Sequence, residues 1–314
     1  MSEPPTAFLQ VDVDGLWAIR RCYGRAEGDS FTNDPVWSEG VPRSQDVFAE
    51  LGLKAGYFLV GRDLMSEGKA ATARRIAEAG HEIGNHSFSH RLGLTMLPIG
   101  GIAQEITRAE KAMDLAGLPR PRGFRAPGYD VDSRVLRTVR RLGYAYDASV
   151  LPTPWSPAMR LADAWMAGRW QSSKRQFGRL AYARAPRVPY EPDANRIRKP
   201  ARREPASSRR FLEIPVGVLP GWRLPLTAST VFALGSKRVV RGLRELARRG
   251  QPTLVLLHGI DFVDCKRPLV FPAPRSMGGF DLSAAEKMRR LGAVLKCLRD
   301  EFKVQRADEW MGEV

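Results

Sequence analysis

Histidine is scarce in this chain, with four among 314 residues. Cysteine is scarcer: Cys22, Cys265 and Cys297 are dispersed and form no CxxC spacing, which argues against a disulfide framework or a zinc ribbon and fits a reducing compartment. No run of about 18 apolar residues occurs, so nothing reads as a transmembrane helix. The opening stretch MSEPPTAFLQVDVDG has neither the basic start nor the apolar core of a secretory signal, and the expected location is cytoplasmic. Acidic residues are the minority charge. Against 34 Asp and Glu stand 50 Lys and Arg, a net +16, which implies attraction to polyanions such as nucleic acid or an anionic lipid surface.

What is present is 43% hydrophobic content on a chain long enough to bury one large core or two ordinary ones. Short apolar runs alternate with amphipathic segments, the pattern of parallel strands joined by helices, so the fold class reads as α/β. AFLQVDVD reads as the first strand, followed by a long loop and a helix near SQDVFAELGL. KAGYFLVG reads as the next strand, EGKAATARRIAEAG as a helix stopped by Gly80, and HEIGNHS as the third strand. IAQEITRAEKAMDLAGL and DSRVLRTVRRLGY read as helices on either side of PRGFRAPGYD, with AYDASVL a strand. After residue 210 come RFLEIPVGVLP, one helix from about Val231 to Arg249, the strand PTLVLLHGI and a last helix, DLSAAEKMRRLGAVLKCLRDEF.

Residues 156–210 break this pattern with many prolines and dense basic content. Between 160 and 210 there are 14 Lys and Arg against 4 Asp and Glu, which is +10 of the net charge. A solvated loop is one reading. The other is a peripheral contact with an anionic membrane surface, because apolar and tryptophan positions precede the basic run. Nucleic acid is disfavoured, since no recognised binding motif and little aromatic interleaving accompany the charge.

Three of the four histidines, His81, His86 and His90, fall within GHEIGNHSFSH. His86 and His90 stand four apart, a spacing that lets two imidazoles converge on one metal, although two satisfied core histidines can share it. HSFSH lacks the glutamate of H-E-x-x-H, so the metalloprotease version is excluded and carboxylate must come from elsewhere. VDVDG offers it. Asp12 and Asp14 alternate with valines and point to one side of an extended chain, where two carboxylates repel unless a cation is near. Turn-forming aspartates before Gly15 are the plainer alternative. His258 closes TLVLLHGID, so all four histidines lie at or beside expected strand ends, and the C-terminal ends of a parallel sheet form the usual active-site face. Arg125 in FRAPGYD is either one more surface arginine or a buried one that fixes a carboxylate through two hydrogen bonds.

VDVDG, HSFSH, RAPGY, YDAS and LVLLH follow one another in the order of the five motifs of the polysaccharide deacetylases of the NodB-homology type, carbohydrate esterase family four. The chain resembles that family over about residues 5–150 and 211–314. The resemblance implies a distorted (β/α) barrel of about seven strands, a single domain over 1–314 with 156–210 as a basic insertion, and one divalent metal ion. It matches Asp14, His86 and His90 to the metal ligands, Asp12 to the catalytic base, and Arg125 to the residue that orients the base. His258 matches the general acid, and Asp147 the acidic residue that supports it. Zinc is favoured by His and carboxylate ligands, and cobalt, nickel and iron suit the same set. A valine separates the aspartates of the first motif, a variant resembling the subgroup that acts on peptidoglycan, lipid-linked sugars or other amides. Gly128 precedes Tyr129 in the third motif, where a backbone N–H of either residue is an expected oxyanion donor. No tryptophan directly follows YDAS, leaving Trp155 or Trp222 to supply an apolar wall.

The activity so implied is hydrolysis of an N-acyl, chiefly N-acetyl, group from an amino sugar, with a glycolipid or cell-envelope glycan precursor as substrate. A deformylase or other amidohydrolase would use the same metal site. The rival of another kind is a catalytically idle barrel that binds membrane or nucleic acid through the basic insertion.

Overall fold

The computed structural model describes residues 3–167, 177–201, 210–266, 279 and 281–313. Strand β1 (Thr6–Val13) is central and almost wholly buried. Its two faces divide by alternation: Ala7, Leu9, Val11 and Val13 join the apolar layer under the helices, while Phe8, Gln10 and Asp12 face the inside of a curl. On one side follow β2 (Gly56–Leu59), β3 (Glu82–Asn85), β4 (Gly123–Phe124), β5 (Tyr146–Asp147) and β6 (Leu212–Glu213). On the other runs β7 (Thr253–His258), and β8 (Lys303–Val304) pairs with the first residues of β1. All these pairings are parallel. The seven strands from β6 to β7 form a parallel curled half-barrel, the distorted (β/α) barrel that the resemblance implies. An irregular stretch spans its open side, where the Gly217 N–H donates to the Leu254 carbonyl and the Leu256 N–H to that of Leu226.

The connections carry α1 (Leu16–Cys22), α2 (Val41–Glu50), α3 (Glu67–Glu78), α4 (Ile99–Leu115), α5 (Ser133–Arg141), α6 (Ser156–Ala167), α7 (Ala228–Leu234), α8 (Ser236–Arg248), α9 (Ala284–Glu301) and α10 (Ala307–Glu313). Several boundaries follow from local chemistry. Asp132 caps α5 by accepting from the N–H groups of Arg134 and Val135, and Ser283 with Glu286 forms a reciprocal capping box at the start of α9. Beyond α3, Gly80 takes a left-handed conformation, and the His81 N–H returns to the Ile76 carbonyl. None of the described helices is long and apolar enough to cross a membrane.

The structure differs from the sequence reading in several elements, among them β8 and α10, which the reading did not include. The long loop after the first strand contains α1, and the helix expected over about 231–249 is two helices, because Gly235 takes φ 80°, outside helical geometry. Two stretches of the basic insertion, 168–176 and 202–209, lie outside the described residues.

The inside of the curl is filled by rings. Tyr146 lies so close to Gly123 that a Cβ there would come within 2.2 Å of it, and Phe58 presses on Gly84 in the same way at 2.7 Å. At the N-terminal end of the strands, the buried Glu82 carboxyl accepts from the Tyr146 hydroxyl at 2.6 Å and from the N–H groups of Ala307 and Asp308, which open α10. Burial, aided by the nearby Asp308 charge, pushes this carboxyl up to about 8. A raised carboxyl contributes stability that is present below its unfolded value and lost as pH rises through the folded one. Glu82→Gln keeps acceptor and donor atoms without the ionisation. The variant should therefore resist urea better than the wild type at pH 9, with the difference shrinking toward pH 5, and a difference independent of pH would contradict this account.

Candidate metal centre

At the opposite, C-terminal end of the strands, Asp14 follows directly on β1, and His86 and His90 lie in the loop after β3. Both Nε2 atoms converge on Asp14 Oδ1, His86 at 3.3 Å and His90 at 3.1 Å. The ligand atoms of all three residues lie within 4.8 Å of one another. The loop achieves this with two non-glycine residues of positive φ, Ser87 at 62° and His90 at 46°, a conformation that persists only where surroundings enforce it. The His86 Nδ1 lies 2.8 Å from the Arg125 carbonyl. An Nδ1–H donated to that carbonyl leaves the Nε2 lone pair free toward Asp14. Arg21 holds the Ser89 and His90 carbonyls, and Cys22 Sγ lies 3.9 Å from His90 Nδ1.

This donor set fits a divalent ion. Asp14 Oδ1 is buried and receives no well-directed hydrogen bond, although two imidazole nitrogens aim at it. Burial alone would lower both imidazoles, but neighbouring carboxylates outweigh it: Asp14 raises His90 to about 9, and Asp12 with Asp14 raises His86. Burial would likewise raise the Asp14 carboxyl, yet His90 and His86 hold it well below the usual carboxylate range. Positive charge is favoured at this point, whether protons or a cation supply it.

Asp12 stands beside the triad. Its Oδ1 accepts from Arg125 Nη1 at 2.7 Å, and its Oδ2 lies 3.8 Å from His86 Nε2 and 4.0 Å from His258 Nε2. Register explains the last distance: Asp12 pairs with His258 across β1 and β7, so the two side chains leave the sheet on the same side. Arg125 is fully buried. Its Nε donates to the Ala148 carbonyl, its Nη2 to Gln10 Oε1, and its guanidinium lies over the Phe58 ring at 4.5 Å.

Behind Asp14 lies a buried ionic block. Lys69 donates to Asp34 and Asp63, whose other contacts hold α1: the Leu16 N–H reaches Asp34 and the Trp17 indole N–H reaches Asp63. A Cβ on Gly15 would meet Trp17 Nε1, Asp34 Oδ2 and Asp63 Oδ2 within 2.8 Å, so this position leaves no room for a side chain beside the ligand.

The structure brings together Asp12, Asp14, His86, His90, Arg125 and His258, and it sets Asp147 apart. Tyr146 and Ala148 point into the curl, so alternation turns Asp147 the other way, where it accepts from the Ser149 N–H and hydroxyl. The carboxylate facing the His258 ring belongs to Asp261, with Oδ2 3.7 Å from Nδ1 and accepting from the His258 N–H at 2.7 Å. Sequence reasoning missed Asp261, although its place three residues after His258 was a usable signal. It also missed Gln10, which only parity along β1 with Asp12 could have marked. The Tyr129 N–H is donated to the Ala126 carbonyl, which removes it as a free oxyanion donor. His81 belongs to the other end of the sheet: it begins the approach to β3, accepts from the Ala55 N–H through Nδ1, and packs between Phe48 and Tyr57. Trp155 and Trp222 stack on one another.

The ionic block generates a stability prediction. Burial pushes both of its carboxyls up, Asp34 to about 6, and Lys69 counters that shift. Lys69→Met leaves two buried carboxyls without their cation and should cost about 3–5 kcal/mol in denaturant unfolding near neutral pH. Because protonation relieves unpaired carboxylates, the loss should shrink toward pH 5; a loss under about 1 kcal/mol would remove the block from the account.

Residues 30–146 match the family model described as polysaccharide deacetylase, a span that includes His86, His90 and Arg125 and stops short of Asp12, Asp14 and His258. A peptidoglycan deacetylase of Helicobacter pylori is 27% identical over 158 residues, covering 49% of this chain and 53% of the relative. A chitin deacetylase of a Pestalotiopsis species is 31% identical over 100 residues, covering 32% and 33%. The matched segment thus spans about half of one relative and a third of the other. The crystal structure of a Mycobacterium smegmatis protein assigned to the polysaccharide deacetylases superimposes with a TM-score of 0.62 at 17% identity, covering 98% of this chain and 89% of that one, which establishes the shared fold. With five motifs in order, a half-barrel of that fold and a converged Asp-His-His triad, the chain is similar to the polysaccharide deacetylases, whose family model it matches over residues 30–146.

Proposed function

We propose that this protein removes an N-acyl group, chiefly N-acetyl, from amino sugars of a glycan by metal-assisted amide hydrolysis. The observation that carries the reading is the place of Asp12 Oδ2, between His86 of the triad and His258, with its other oxygen anchored by Arg125. An amide resists hydrolysis at both ends, since its carbonyl is a poor electrophile and its amine a poor leaving group. Asp14, His86 and His90 would hold a divalent ion, which would supply Lewis acidity to the carbonyl and the attacking water; zinc suits the donors, as do cobalt, nickel and iron.

The protein's own groups handle the protons. Asp12 accepts one from the attacking water, and Arg125 fixes which of its oxygens is free to do so. His258, half-buried at the mouth of the curl, donates one to the departing amine. Burial would lower this imidazole, but the hydrogen bond and charge of Asp261, with Asp12 and Asp14 adding, push it up to about 9, which keeps it protonated near neutrality. The two relatives are named for peptidoglycan and chitin, both of which carry N-acetylated amino sugars, and this supports the same substrate class here.

Acetate release from N-acetylated chitooligosaccharides and peptidoglycan by metal-loaded protein tests the reading, and the absence of release from any acylated glycan would sink it. His86→Ala or Asp14→Asn should lose the bound ion by elemental analysis, whereas full occupancy in either would dissolve the proposed centre. His258→Ala should keep the ion and lose turnover by at least about a hundredfold. A raised acid stays protonated below its folded value and is lost as pH rises through it, so Asp261→Asn should move the alkaline fall of kcat/KM to lower pH. An unmoved profile would detach Asp261 from His258.

A further inference from the structure

We propose that α8 and the hairpin beside it form a surface that adsorbs to an anionic lipid bilayer. Along α8, Lys237, Arg241, Arg244 and Arg248 are exposed at intervals of four, three and four residues, which places them in one row, in which Arg244 is paired with Glu301 at 3.1 Å. Arg238 and Arg249 are exposed at the edge of that row, and the single acidic residue of the helix, Glu245, is paired with Arg249. Val239, Leu243 and Leu246 on the opposite face are buried against the core. By itself such a row is a solvated helix face.

A second observation lies alongside it. The segment 218–225 closes as a hairpin through the Val218–Pro225 bridge and the hydrogen bond from the Leu219 N–H to the Leu224 carbonyl. Leu219 and Pro220 rest on Gly242 of α8, next to Arg241, where an added Cβ would lie 2.5 Å from Leu219 Cδ2. The tip carries Trp222, which is 72% exposed. Its indole stacks on that of Trp155 with centroids 6.3 Å apart and planes 12° apart, and the Trp155 indole N–H donates to its carbonyl at 2.6 Å. The indole is therefore held outward by design of the tip rather than left loose.

Cations in a row beside a supported, exposed indole suit a headgroup layer: the ring enters the boundary between headgroups and acyl chains while the arginines and lysine meet lipid phosphates. A nucleic acid duplex would use the cations, but its backbone offers no place for the indole. This surface differs from the one the sequence suggested, since it rests on α8 and the 218–225 hairpin and not on residues 156–210. It is also independent of the deacetylase reading, so metal content can serve as a control for correct folding.

The test is co-sedimentation of the full chain with phosphatidylcholine vesicles, with and without phosphatidylglycerol, at low and raised salt. Binding should require the anionic lipid and be released by salt. Lys237→Gln with Arg241→Gln should lower partitioning by roughly thirtyfold, and Trp222→Ala should lower it several-fold while keeping the salt dependence. Both variants should retain the metal content and circular dichroism of the wild type. Equal binding to neutral and anionic vesicles, or wild-type partitioning by the double variant, would overturn the proposal. So would wild-type partitioning of Trp222→Ala combined with displacement from the vesicles by duplex DNA, a result that would assign the row to nucleic acid.

Discussion

The face that carries the candidate metal centre is organised around one guanidinium. Arg125 leaves β4 toward the inside of the curl with no access to solvent and ties three strands together, reaching Asp12 and Gln10 of β1 and the Ala148 carbonyl beyond β5. A buried guanidinium charge must be met by fixed partners. Those partners are what orient Asp12. The Arg125 backbone carbonyl, facing His86 Nδ1, also sets the ring that aims at Asp14. One residue thus governs the direction of the Asp12 carboxylate and the orientation of a triad histidine.

Two kinds of buried charge lie within a few residues of each other, and they are balanced differently. Behind Asp14, the Lys69 ammonium meets Asp34 and Asp63 directly, so the cation is part of the chain. In front of it, Asp14, His86 and His90 place an acidic oxygen against two imidazoles, a set that calls for positive charge from outside. The first arrangement holds α1 and the turn at Gly15; the second uses the position so held. Arg21 and Cys22 at the far end of α1 touch the His90 segment, which makes this short helix a spacer between two ligands.

Much of this was legible in the sequence because it depends on short-range rules. Alternation along VDVDG placed Asp12 on the inner face, the four-residue interval brought His86 and His90 together, and Gly80 stopped α3 where expected. The misreadings came from parity and from distant partners. YDAS reads as one strand end, but which of its residues turns inward depends on how Tyr146 packs against Phe58 and Gly123, and that set Asp147 facing away from His258. Asp261 was overlooked because a turn just past a strand leaves little periodic signal. Histidine crowding proved only partly informative: His81 lies one strand length from His86, which is enough to put it at the opposite end of the sheet.

The in-register pairing of β1 with β7 has a temporal consequence. Asp12 and His258 are cross-strand neighbours although one lies near the start of the chain and the other near its end. Contacts of such sequence separation form late and slowly, because a long intervening chain must be closed before they are rewarded. A ribosome-bound chain that has emerged through β5 already contains Asp14, His86, His90 and Arg125, yet Asp12 has no His258 opposite it. The pairing that sets Asp12 against His258 therefore becomes available only after the triad residues and Arg125 have all been made, so the two sides of this centre are assembled at different times.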